Sequence, residues 1–167
     1  MTDIRYLQQS DLPRYAVELD WLLTDQNLIS DGYALQSAVV IALGTDALAG
    51  ASDPLPNLDD DDRRGWWGDL DAAELWDAWP VGSKLWLLRR AKITSALAGD
   101  GGTVFRAQSY ARAALDPFVA RRIVSSADVG AERTDTSRID VAATLYRGPE
   151  PAVELRYAEL WSELGIV

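Results

Sequence analysis

The spacing of apolar residues predicts a strand followed by a helix in the first part of the chain. Apolar and polar residues alternate from Tyr15 to Leu23, as they do in a strand with one buried face. From Leu35 to Leu43 the apolar residues recur at the i, i+3, i+4 and i+7 spacing of a helix that buries one side. Ser30 or Asp31 is the expected N-cap of that helix.

The middle of the chain combines a long segment without periodicity and two further predicted helices. Residues 44–82 are rich in Gly, Pro and Asp, and a structureless loop of this length is uncommon in a compact domain. Because tryptophans are concentrated there, we expect an ordered loop held by its own aromatic contacts. These tryptophans are Trp66, Trp67, Trp76, Trp79 and, directly after the loop, Trp86. The helices should run from Ser83, as N-cap, to about Leu97, and from Val104 to Phe118 with Pro117 at its end.

The last third of the chain alternates again and predicts a small antiparallel sheet. Its strands should lie at 123–129, around 139–145, and from Val153 to Trp161, with residues 148–151 joining the last two as a hairpin. The order of elements predicts an α+β fold, with helices packed on the sheet. We expect one domain, made of an N-terminal strand and arm (1–30), helices and the long loop (31–120), and the sheet (121–167).

The charge and the residue composition exclude several kinds of partner and reactive site. The net charge is −10 and the pI about 4.4, so the surface should repel phosphate backbones and nucleic acid is not an expected partner. The sequence has no cysteine and no histidine, which removes disulfides, thiolate chemistry, the commonest general base and the commonest zinc ligand. The amino terminus does not resemble a signal peptide, and the run Ala38–Leu43 is too short to span a bilayer. We therefore expect a protein kept in a cytoplasm without a membrane anchor.

The stretch DDDDRRGWWGD, at 59–69, is the most unusual one, and a calcium loop is its first interpretation. Positions 1, 3, 6 and 12 of a calcium-loop template fall on Asp60, Asp62, Gly65 and Asp71. Position 5, however, is Arg64, a cation where a ligand oxygen belongs, and position 12 is not the usual Glu. We therefore favour an acidic turn that is solvated and paired with arginine, and we expect neither a metal nor a cofactor.

Two other chemical interpretations rest on single features. Asp69, Glu74 and Asp77 lie among tryptophans, and aromatic residues bind sugars, so a sugar-cleaving enzyme is one interpretation, but the spacing of these carboxylates is not diagnostic. The sequence has neither a phosphate-binding GxxxxGK[ST] loop nor a GxGxxG motif after a strand. Arg89, Arg90 and Lys92 could contact phosphate, but cations on an acidic chain more often pair with neighbouring acids.

Protein–protein docking accounts better for the Trp-rich loop. Arg63 and Arg64 can bind carboxylates or backbone carbonyls of a neighbouring chain through two parallel hydrogen bonds. Trp66 and Trp67 are aromatic anchors of the kind found at interfaces. Because adjacent side chains point in opposite directions in an extended segment, one tryptophan could fill the core while the other faces a partner.

The loop also carries a resemblance. DRRGWWGD at 62–69, followed by GSKLWLLRRAK at 82–92, closely resembles the motif of the Mu-like phage baseplate protein family. LDWLLTD at 19–25, ALGTD at 42–46 and DPLP at 53–56 support it, so the resemblance covers roughly residues 15–120.

This resemblance implies a structural protein without enzymatic activity, the counterpart of the T-even baseplate wedge protein that primes the tail sheath. It implies several copies in a ring in the virion tail baseplate, assembled in the host cytoplasm. The partners would be other wedge proteins, tail tube or hub proteins and the sheath protein. The T-even relatives end their last helix with Glu-Pro-Arg, whereas this chain has Asp116-Pro117-Phe118. Some of those relatives are called lysozyme-like, so a peptidoglycan-cleaving tail enzyme using Asp69 and Glu74 is the alternative.

Partner contacts are expected in two regions. The first is the motif region, and its candidates are Arg63, Arg64, Trp66, Trp67, Asp69 and Trp86. The second is the hairpin of Arg138–Arg147 and Ala152–Trp161, with Ile139, Val141, Ala143 and Leu145 as candidates. A small sheet leaves unpaired edges, so this hairpin is expected to accept an extended arm of the sheath protein. A proline at Ala142 or Thr144 should block that arm, unless the chain's own strand near 15–23 covers the edge.

Overall fold

A computed structural model describes residues 5–7, 18–20, 34–57, 59, 61–75 and 77–158. It shows the predicted α+β fold, with helices on a small antiparallel sheet, a C-terminal β-hairpin and a long ordered loop. The helices and strands are β1 (Arg5–Leu7), β2 (Glu18–Asp20), α1 (Ala34–Gly44), α2 (Ala72–Leu75), α3 (Gly102–Ala120), β3 (Ser126–Asp135), β4 (Arg138–Arg147) and β5 (Glu150–Ala158). Short 3₁₀ helices lie at Trp67–Asp71, Lys84–Leu88 and Ala98–Asp100.

The C-terminal sheet is antiparallel in the order β3-β4-β5, so β4 is the central strand. Both connections are tight. Asp135 pairs with Arg138 across one two-residue turn, and Arg147 pairs with Glu150 across the other, as predicted for the hairpin. Gly148 begins the second turn with a φ of +78°, a conformation that glycine adopts without strain.

The helix α3 packs on the sheet and forms the main core with it. Its apolar stripe is buried as the periodicity predicts, and α1 adds Val39, Ala42 and Leu43 to the same core. Several positions of the stripe are alanine, which lets the helix lie close to its neighbours. Burying a leucine such as Leu115 stabilises the fold by about 1.5–3 kcal/mol. The buried stripe of α3 consists of Val104, Ala107, Ala111, Ala114, Leu115 and Phe118.

The end of α3 differs from the prediction. The helix continues past Pro117 to Ala120, where a Schellman motif ends it. The N–H of Arg122 donates to the Val119 carbonyl over 3.0 Å, and the N–H of Ile123 donates to the Phe118 carbonyl over 2.9 Å. Residues up to 125 therefore belong to this helix end and the connection after it. For that reason β3 begins at 126, later than the strand predicted at 123–129.

The helix predicted from Ser83 to Leu97 is wrong beyond its first turns. Ser83 caps it as expected, accepting the N–H of Leu85, but the helical residues end at Leu88. Further along, the backbone makes tertiary bonds in place of helical ones. The carbonyl of Lys92 accepts the Thr103 hydroxyl, and Leu97 forms an antiparallel bridge to β3.

The N-terminal strand is described only in part. Glu18–Asp20 pairs antiparallel with Arg5–Leu7, within the strand predicted at 15–23. The remainder of that strand, the caps Ser30 and Asp31, and Trp76 and Trp161 lie outside the described residues. Among the helices of the described part, none combines the length and the apolar character needed to cross a membrane.

Candidate partner-binding surface

The Trp-rich loop, residues 44–82, is fixed by backbone pairing at its base. The segment after α1 runs beside 82–83, where the N–H of Ala47 donates to the Ser83 carbonyl over 3.0 Å and the N–H of Ser83 to the Thr45 carbonyl over 2.8 Å. On its other side, the N–H of Ala49 donates to the Arg63 carbonyl over 2.9 Å. Gly82 has a φ of +100°, and a Cβ there would lie 2.7 Å from the Thr45 oxygen. The loop is therefore ordered, as its tryptophan content predicts.

The two arginines of the motif bind groups of their own chain. The guanidinium of Arg63 donates to the carbonyls of Gly50 and Ala51. Arg64 forms an ion pair with Asp46, and its guanidinium carbon lies 4.8 Å from the centre of the Trp86 ring. Carboxylate and carbonyl acceptors of the kind expected for these arginines are thus present within the loop itself.

A lysine–aspartate pair closes another part of the loop. Lys84 Nζ lies 2.6 Å from Asp53 Oδ2, and the same oxygen accepts the N–H of Gly50 over 2.8 Å. The hydrogen bond from Lys84 and then that from Gly50 hold the pKa of Asp53 below its ordinary value. The sequence analysis missed this pair, because 31 positions separate its members along the chain.

The tryptophan pair is held by a reciprocal cap. The N–H of Trp66 donates to Asp69 Oδ2 over 3.1 Å, and the N–H of Asp69 donates to the Trp66 carbonyl over 2.9 Å. The two indole rings lie on the same side, with centroids 5.1 Å apart. They do not point in opposite directions as expected for an extended segment, because the 3₁₀ helix begins at Trp67. Asp69 therefore fixes the loop that carries the tryptophans.

Exposure separates the aromatic candidates. Trp66 is half-buried, whereas Trp67 is 77% exposed, the most exposed of the large apolar side chains described. Leu48 is 57% exposed and lies against Gly65, the residue that precedes Trp66. Trp86 is only 6% exposed, and its Nε1 donates to the Ala47 carbonyl over 2.8 Å. Among these tryptophans, Trp67 is thus the side chain available for docking. Trp86 is buried and holds the loop through its bond to Ala47.

A further tryptophan attaches the end of the loop to α3. The rings of Trp79 and Phe118 meet edge to face, with centroids 5.1 Å apart. Arg121 lies 5.0 Å from the centre of the Trp79 ring and forms a 2.9 Å ion pair with Asp77. The last residues of the loop are therefore fixed to α3 as well as to the segment after α1. The sequence suggests this contact only through the composition of the loop.

The two carboxylates of the alternative enzyme lie in different surroundings. A groove of about 410 Å³ runs between the loop and α3, lined mostly by apolar residues such as Trp79, Pro80 and Tyr110. Asp69 lines this groove while its carboxylate caps Trp66, whereas Glu74 is exposed on α2.

The acidic stretch is described at three of its four aspartates, since Asp60 lies outside the described residues. Asp62 Oδ1 accepts the N–H of Arg64 over 2.8 Å and so closes a turn. Across the residues that are described, no group of three or more acidic side chains is placed to hold a metal ion.

The hairpin candidates lie in the core. Ile139, Val141, Ala143 and Leu145 are each at most 2% exposed, and β4 is paired on both sides, for example at Ala142 with Gly130 and Arg156. The prediction that a proline at Ala142 or Thr144 would remove a donor from an open edge is therefore wrong. A proline there would disrupt the middle of the sheet.

The edges of the sheet belong to β3 and β5. The outer side of β3 is covered by the chain itself, since the N–H of Arg133 donates to the Ala96 carbonyl over 2.8 Å and Gln108 Nε2 donates to the Val129 carbonyl over 2.7 Å. Among the described residues β5 pairs with β4 alone. Backbone groups alternate in direction along a strand, so the register places the N–H groups of Glu154 and Arg156 on the side away from β4.

Comparison with known proteins covers most of this structure. A family model described as "Phage protein GP46" matches residues 35–151, which include the Trp-rich loop, α3, β3 and β4. This chain belongs to the GP46 family of Mu-like phage baseplate proteins. All of the candidate partner-binding residues, from Arg63 to Leu145, lie within the part that matches the family.

Two relatives in the family align over most of their lengths. The chain is 38% identical over 133 residues to "Baseplate protein gp46" of Escherichia phage Mu, covering 80% of this chain and 79% of the relative. It is 33% identical over 120 residues to "Mu-like prophage FluMu protein gp46" of Haemophilus influenzae, covering 72% of this chain and 73% of the relative. These matches confirm the resemblance found in the motifs.

Proposed function

We propose that this GP46-family protein is a structural component of a contractile-tail baseplate, where it stands in several copies around the tube. The observation that carries the proposal is Trp67, 77% exposed on a loop whose backbone is fixed from both sides. The name of the phage Mu relative, a baseplate protein, supports the same place for this chain. Other wedge, hub or tube proteins of the tail would bind this surface.

The geometry of the loop suits docking. Exposed tryptophans are enriched among the few interface residues that carry most of the binding energy, each contributing about 2 kcal/mol or more, which is roughly 30-fold in affinity. A loop that is already ordered loses little conformational freedom when it binds. The internal bonds of Arg63, Arg64 and Asp69 thus serve binding indirectly, because they hold Trp67 in position.

The same proposal extends to assembly of the sheath, through the edge strand β5 and not through the central strand β4. An edge strand offers unpaired N–H and C=O groups to another chain, and β5 is the candidate edge because β3 is covered by Gln108 and the Ala96 carbonyl. An extended arm of the sheath protein would add beside β5 as a fourth strand, so that the first sheath ring copies the geometry of the baseplate. Blocking this edge without harming the baseplate separates sheath priming from a purely structural role.

The test of docking by the loop is Trp67→Ala, with Phe105→Ala as the matched control because Phe105 is an exposed aromatic residue on α3. Trp67→Ala should leave the unfolding temperature of the purified protein within a few degrees of the wild type, because the ring is mostly in solvent. It should nevertheless lower the yield of complete tails at least tenfold, while Phe105→Ala particles assemble normally. Normal yields from Trp67→Ala would contradict docking through this loop.

A further inference from the structure

A small basic pocket lies beside the Trp-rich loop. Its volume is about 190 Å³, enough for one side chain and too small for a nucleotide. Three arginines line it together with a single aspartate, in a protein whose net charge is −10. The charged and aromatic lining residues are Asp62, Arg64, Trp86, Arg89 and Arg90.

Two of the three arginines have defined positions. The guanidinium of Arg64 lies over the Trp86 ring and pairs with Asp46, and Arg90 Nη1 donates to Asn57 Oδ1 over 2.6 Å. A guanidinium has five N–H donors, so one acceptor leaves most of them available. The aspartate in the lining, Asp62, accepts the backbone N–H of Arg64 through Oδ1, so one of its oxygens is engaged by the backbone.

The third arginine is exposed to solvent. Arg89 is exposed at the rim of the pocket, and within the described residues it forms no ion pair. Its neighbour Arg90 donates to the neutral amide oxygen of Asn57. Arginines beside one another repel, and among the described residues neither Arg89 nor Arg90 forms an ion pair. Binding of an external carboxylate would relieve that repulsion.

We propose that this pocket binds a single glutamate or aspartate side chain of a neighbouring tail protein. The inference rests on the proposed baseplate role, which supplies that neighbour. A carboxylate matches the fork geometry of arginine and forms two parallel hydrogen bonds with it. A nucleic acid fits less well, because its backbone extends beyond the pocket onto a surface of like charge. A single carboxylate feels mainly the arginines, since charges more than about 8 Å away are largely screened at physiological ionic strength.

The test uses the full-length protein in assembling particles. A photo-cross-linking amino acid replaces Arg89, and a parallel sample carries it at Arg112, an exposed arginine on α3. We expect the cross-link from position 89 to join a peptide of another tail protein, with Asp or Glu within about two residues of the attachment point. A cross-link to nucleic acid, a cross-linked peptide without acids, or no cross-link in particles that contain the protein would overturn the inference.

Charge reversal supplies the second measurement. The double variant Arg89→Glu/Arg90→Glu should lower incorporation of the protein into tails at least tenfold, measured by quantitative mass spectrometry of purified particles, whereas Arg112→Glu should not. Normal incorporation of the double variant would overturn the pocket and leave the baseplate role standing. If even the wild-type protein is absent from purified tails, both the baseplate role and the pocket proposal are wrong.

Discussion

At the scale of single residues, Gly68 decides how the tryptophan pair is arranged. A Cβ built on Gly68 would lie 2.2 Å from the nearest atom of the Trp66 ring, so only glycine fits beneath that ring. The ring of Trp66 thus folds back over the backbone, and Trp67 is left in solvent beside it at 5.1 Å. The glycine after the two tryptophans of the motif is therefore a packing requirement.

Gly68→Ala should disturb this arrangement. The added methyl group must push the Trp66 ring away, and overpacking of this kind costs about 1–3 kcal/mol. We expect a lower unfolding temperature and a changed tryptophan fluorescence. Gly99→Ala is the control, since a Cβ there would meet nothing within 4 Å. Equal unfolding temperatures for the two variants would show that the Trp66 ring is not fixed against the backbone.

At the scale of elements, the spacing of apolar residues predicts the helices and strands that bury one face in the core. It fails for segments whose backbone bonds to distant parts of the chain. The helices α1 and α3 and the buried face of β4 follow from apolar spacing, because a single face of each is buried. The segment 89–97 also looks helical in sequence. In the fold, however, the carbonyl of Ala96 accepts a hydrogen bond from Arg133 of β3. Because Arg133 is so distant along the chain, nothing in the local sequence of 89–97 indicates this hydrogen bond.

For the candidate partner-binding surface, the sequence predicts which residues take part but not how they are arranged. The sequence identifies the motif and its interface-type residues, and Trp67 is exposed as one of the pair was expected to be. It does not reveal that Arg63 and Arg64 bind within their own loop, because an arginine gives the same pattern whether its acceptor is its own chain or another. Nor does it give strand order, so it does not reveal that β4, which carries the four hairpin candidates, lies in the centre of the sheet.

The edge strand β5 carries the prediction at this scale. Glu154→Pro removes an N–H that faces away from β4, so the sheet keeps its pairing with β4 while the outer edge loses a donor. We expect tails with normal baseplates and little or no polymerised sheath, counted by electron microscopy. Glu154→Ala is the matched control, because it removes the same side chain and keeps the N–H. Normal sheath on Glu154→Pro tails would exclude strand addition at this edge.

At the scale of the whole molecule, the proposed docking loop and the proposed carboxylate pocket have residues in common. Arg64 belongs to both, since it is two residues before Trp66 in the loop and lines the pocket over Trp86. Around them the protein is acidic, which discourages association with unrelated acidic proteins and leaves the basic pocket as a local exception. An apolar anchor beside a charged pocket gives both affinity and orientation to a partner.

The most direct test of docking through the Trp-rich loop is a cryo-electron microscopy map of the intact tail in which this chain is traced. The account predicts that the chain lies in the baseplate in several copies, with the ring of Trp67 packed against another polypeptide. A map in which Trp67 faces solvent in every copy, or in which the chain lies outside the baseplate, would contradict the account.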